Sequence, residues 1–163
     1  MAYYDALKTQ WATLPSTDTT AQKLAAINAL TVAGPNIDVQ PSAVKGKLLL
    51  LGAYFSLKSF AAGAVNGNPT HDNALGAAMS LIEMLDMPNA PLFQMSDAAT
   101  YAAIKGMADA VLAQETAVPG STGFTQAVHD ALLALAATTI PWWQANGYPR
   151  AFDMGDVAAA GVS

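Results

Sequence analysis

The chain has 163 residues, of which 53% are hydrophobic and 12% charged, with a net charge of −5 and no cysteine. Apolar content this high excludes a disordered chain. Seven basic residues with no real cluster exclude the Lys/Arg patch that nucleic-acid binding requires, and the lack of cysteine excludes disulfides, thiolate chemistry and Cys-ligated zinc.

The apolar residues between stops recur at helical spacing, starting with Tyr3, Leu7, Trp11 and Leu14 on a first helix that Pro15 ends. Ser16, Thr17 and Asp18 offer caps for a second helix with Leu24, Ile27 and Leu30 inward, stopped by Gly34-Pro35. Pro41 opens a third helix running to about Gly63, roughly 30 Å at the usual rise. Val44, Leu48, Leu51 and Phe55 form one face, and Leu49, Leu50, Leu57 and Phe60 widen it. A helix apolar most of the way round belongs at the centre of a bundle or at an interface, and this one reads as the central element.

Its most lipid-like stretch, Leu48 to Val65, is interrupted by Lys58. Only ten residues separate Lys47 from Lys58, short of the ~20 needed to span a bilayer. Met1 to Leu14 lacks the basic start and apolar run of a signal peptide, so the expectation is a soluble protein without a transmembrane segment.

Asn66-Gly67-Asn68-Pro69 is a turn, after which Thr70 caps a fourth helix bearing Leu75, Met79, Ile82 and Leu85. Pro88 to Met95 reads as a loop. Ser96 caps a fifth helix with Tyr101, Ile104, Ala108 and Val111 inward, and Thr125 opens a sixth with Val128, Leu132 and Leu135. Pro141 ends or kinks it. Asp153 followed by Asp156 resembles the cap of a short final helix, Met154 to Ala160. No segment alternates apolar and polar residues as a strand does. The reading is all-α: a single domain over 1–163, a bundle of about six helices plus a short C-terminal helix, with 140–163 as a C-terminal arm.

No constellation carries chemistry by its residue types and spacing, so no catalytic, metal-binding or cofactor-binding residue is expected. His71 and His129 each have an aspartate beside them (Asp72, Asp130), but neighbours on a helix point to different faces. His71 sits in a helix first turn and His129 reads as a solvated or capping residue. Glu83 and Asp86 share a helix face and read as a solvated edge rather than an acid–base pair. Pro119 to Gly123 reads as a flexible turn around Ser121, without the pattern of a nucleophile elbow. Met79, Met84, Met87 and Met95 fall at near-helical spacing, and core filling is preferred over a binding groove.

The segment Ile140 to Arg150 holds two adjacent tryptophans after a proline. Trp142, Trp143, Tyr148 and Arg150 are of the residue types that anchor protein interfaces, and they are the interface candidates. The preferred reading is an arm that folds back and plugs the end of the bundle; both can hold at once. Low charge points the same way, since either uncharged polar residues and alanine cover the surface or other subunits do.

Tyr4-Asp5-Ala6-Leu7-Lys8, the Ala-rich helices and the ending Gly155-Asp156-Val157-Ala158-Ala159-Ala160-Gly161 resemble a group of small helical structural proteins of tailed bacteriophages. That resemblance covers the two ends better than the middle. It implies a non-enzymatic virion component of the neck, capsid or tail. Its partners would be other virion proteins or copies of itself, with no nucleic acid or membrane. A soluble helical-bundle binding protein with an apolar pocket for a small ligand or peptide is the second reading.

Overall fold

The computed structural model describes residues 2–162. In chain order the elements are α1 (Asp5–Ala12), α2 (Thr20–Ala29), β1 (Thr31–Ala33), α3 (Pro41–Leu50), α4 (Tyr54–Ala61), α5 (Pro69–Asp86), α6 (Ala98–Ala117), α7 (Gln126–Leu133), β2 (Thr139–Pro141), α8 (Trp142–Ala145) and α9 (Met154–Ala160). The fold is predominantly all-α. Among the described residues the departure in class is a two-stranded antiparallel ribbon pairing Val32 with Ile140. Three residues per strand are too few to show an alternating pattern.

The chain groups into two compact units: residues up to Gly34 together with those from Thr138 onward, and residues 35–137. In the first unit α1, α2, α8 and α9 enclose a core of Leu7, Trp11, Ile27, Tyr148, Phe152 and Val157. The segment expected to be a C-terminal arm is thus half of a unit with its own core. Capping explains the helix starts. Thr19 and Gln22 close a capping box on α2, one residue past the expected Asp18, and Asp153 with Asp156 close the expected one on α9. The Asn28 side chain donates to the Phe152 carbonyl (2.9 Å) and accepts from its amide (3.0 Å), stitching α2 to the C-terminal segment.

The second unit contains α3 to α7. The expected 30 Å helix from Pro41 is two helices, because Gly52 sits in the left-handed region (φ +73°). Its amide donates to the Leu49 carbonyl and that of Ala53 to Leu48, a Schellman stop with Leu48 and Ala53 both buried. The break also overturns the central role read for this segment. Leu48, Tyr54 and Leu57 face inward, whereas Leu50 is 79% and Phe55 71% exposed.

The middle of this unit is the α5–α6 pair. Leu81 on α5 and Ile104, Ala108 and Val111 on α6 bury their side chains there, joined by Phe124 and Leu132. On α5 the inward face includes Ala74, Ala78 and Leu81 together with the expected Leu75 and Leu85, but not Met79. Alanines at these positions let the backbones approach closely. The caps shift by a residue or two from the reading: Asn68 rather than Thr70 on α5, and Asp97 rather than Ser96 on α6. Pro69 then occupies the first helical position, where its missing amide costs nothing. No helix among the described residues is long and apolar enough to cross a membrane.

Candidate functional site

The four tail candidates occupy different environments in the first unit. Tyr148 is buried, donates from its hydroxyl to the Tyr3 carbonyl at 2.5 Å and packs edge-on against Phe152. Trp142 is half-buried, stacked on Tyr148 and tilted against Phe152 at 6.2 Å. Trp143 is also half-buried against the same core. Both tryptophans therefore face one cluster, because the single turn of α8 followed by Gly147 wraps the chain around it. Arg150 is exposed but engaged: it donates to Asp156 at 2.9 Å and pairs with Asp153 at 3.0 Å. Those two carboxylates hold the guanidinium on its own chain.

In the second unit an apolar groove of about 490 Å³ opens between the end of α5, the following loop and α6. Met84, Met87, Leu92, Phe93, Ile104 and Met107 line it, with Gln94 and Thr100 as its polar groups. Of the four methionines read as core filling, only Met95 is buried. Met79 is exposed, and Met84 and Met87 line the groove. The proline-containing loop carries Leu92 and Phe93 across one side, and the Val39–Phe93 backbone bridge holds it there.

Close to the α3–α4 break, Asp86 gathers three partners. Lys45 and Lys58 each approach one of its oxygens at 2.6 Å, and the Tyr54 hydroxyl donates to it. Those ammonium groups, Lys45 first, hold the carboxyl well below the usual carboxylate range. Asp86 is thus the clamp of a basic pair, and Glu83 takes no part. Leu49, Leu50, Leu51 and Phe55, all exposed, lie along the same turn.

His129 is buried rather than solvated, with 7% of its surface exposed. Its Nε2 lies 2.8 Å from Asp109 and its Nδ1 2.9 Å from Asp130. The adjacent aspartate reaches the imidazole after all, because Nδ1 lies close to the backbone, within range of a short side chain at the next position. His71 and Asp72 repeat the contact at 3.0 Å. Lys105, with a smaller contribution from His129, pulls the Asp109 carboxyl below its ordinary value. Both imidazole nitrogens thus have a carboxylate partner. Among the described residues no three His, Cys, Asp or Glu side chains converge as a metal site.

Comparison with protein-family models, curated proteins and solved structures gives no match.

Sequence reasoning missed the Lys45–Lys58–Asp86 clamp and ranked a methionine groove second to core filling. The clamp joins positions 28 and 41 residues apart, a separation that helical periodicity does not report. The groove had a trace in the methionine spacing, where the choice between core and surface depended on the rotation of α5.

Proposed function

We propose that the chain is a non-enzymatic structural protein acting through protein–protein contacts, and that its place is a tailed-phage virion, as the resemblance at its ends implies. The exposed run Leu49, Leu50, Leu51 and Phe55 carries the contact role. Burying a Leu or Phe side chain fully is worth about 1.5–3 kcal/mol, so leaving Leu50 and Phe55 mostly in water, with Leu49 and Leu51 partly so, favours a partner. The occupant is a second copy of this chain. Residues 41–61 contain three lysines and no carboxylate, while the whole chain carries −5. Asp86 pairs with two of these lysines and leaves the patch a small positive excess, which favours a heterologous contact with the acidic remainder of another copy.

Analytical ultracentrifugation of the protein and of Leu50→Glu and Phe55→Glu tests this. Self-association is expected in the unaltered chain, weakened about thirtyfold or more by either change. Helix content should not move, because both side chains are exposed. A monomer at every accessible concentration would remove the self-contact. The virion assignment has its own test: the protein should co-sediment with purified particles, and its absence from them refutes that placement.

The apolar groove favours a second reading, a binding protein for a small apolar ligand. Its volume of about 490 Å³ falls within the ~300–1,000 Å³ of small-molecule sites. Ligand-dependent melting tests it.

A further inference from the structure

The chain has two Asn-Gly dipeptides, Asn66-Gly67 and Asn146-Gly147. In such pairs the backbone nitrogen of the glycine can attack the asparagine side-chain carbonyl, since no Cβ stands in the way. At Gly67 the surroundings are open and φ is +81°. The Gly67 amide donates to Asp72 Oδ2 at 3.0 Å, and the Asn66 amide to Oδ1 at 2.9 Å. His71 Nδ1, 3.0 Å from the same carboxylate, fixes its orientation. The Asn68 amide donates to Asn66 Oδ1 at 2.9 Å, a side-chain turn that spans the Gly67 peptide. The reacting pair therefore has a base on its nucleophile and a hydrogen-bond donor on the oxygen where negative charge develops.

Among the described residues the second dipeptide shows neither. Gly147 donates to the Gln144 carbonyl, which is no base, and the Asn146 side-chain nitrogen is held by the Trp142 carbonyl at 2.9 Å.

We propose that Asn66 is a self-modification site, at which the fold promotes succinimide formation and conversion to aspartate and isoaspartate. The Gly67 nitrogen bonds to Asn66 Cγ and its proton passes to Asp72. The Cγ–Nδ2 bond breaks, and the nitrogen leaves as ammonia, taking that proton. Water then opens the ring at either carbonyl. Opening to isoaspartate places an extra methylene in the backbone and draws the Gly67 amide off Asp72, directly before the Asn68 cap of α5.

The test is peptide mapping by mass spectrometry of the full chain, incubated folded and in denaturant at mildly alkaline pH. In the folded chain Asn66 should convert at least about tenfold faster than Asn146; buffer can also take the proton, which keeps the gain below the ~10²–10⁴ of a fully effective base. In denaturant the two rates should converge. Asp72→Asn should slow conversion at Asn66 and leave Asn146 unchanged. Equal rates in the folded chain, a rate at Asn66 that rises on unfolding, or faster conversion in Asp72→Asn would each overturn the proposal. The first two readouts need no variant, so a misfolded substitution cannot obscure them.

Discussion

Glu115 shows how a single side chain orders a segment that reads as a flexible turn. Its carboxylate accepts from the amides of Gly120, Thr122 and Gly123 and from the Thr122 hydroxyl, at 2.6 to 2.8 Å. Burial opposes its charge, but the backbone amides outweigh that penalty and hold the carboxyl below its ordinary value. Glu115→Gln turns one acceptor oxygen into a donor facing other donors. The expected loss is about 2–3 kcal/mol, read from chemical denaturation. The pH dependence follows in sign. A carboxyl with a depressed folded pKa contributes stability above its unfolded value and loses it as pH falls through the folded one. The unaltered protein should therefore lose stability more steeply in acid than Glu115→Gln, whose side chain does not titrate. Parallel curves would show that the carboxylate is not the source.

At the scale of elements, where a helix stops decides what its residues face. The Leu51-Gly52-Ala53 stop turns one long apolar helix into two shorter ones and leaves Leu50 and Phe55 in water. The rotation of α5 likewise leaves Met79 in water and sets Met84 between the core and the groove. This groove provides an element-scale prediction. A small apolar molecule bound there stabilises the fold by mass action, about 2.7 kcal/mol at a hundredfold excess over Kd, and so raises the melting temperature. Ala103→Trp, which fills the groove from α6, should abolish the shift while leaving the helices intact. A shift that persists in this variant would place the ligand elsewhere.

For the whole molecule, the division of the core matters most. One apolar cluster lies within Val39–Ala136, and the other draws only on residues before and after that segment. The ends of the central segment are tied together by the Ile37 amide donating to the Ala136 carbonyl at 2.9 Å. A segment with its own core and adjoining ends has what a domain needs to fold alone. Residues 35–137, expressed separately, should be helical and melt cooperatively. A non-cooperative melt would make the central unit dependent on the flanking segments.

The amino-acid sequence by itself determined the all-α class, the inward stripe Ile104, Ala108 and Val111, and the starts of α7 and α9. Apolar spacing and capping are local signals, carried by residues within a few positions of one another. Only the tertiary structure decided that Tyr148 is core while Leu50 and Phe55 are surface, that Lys45 and Lys58 meet on Asp86, and that the two ends of the chain share a core. These outcomes depend on how far each helix is rotated and where it stops. Such rotations are set by contacts between residues far apart in the chain, which the local pattern leaves open.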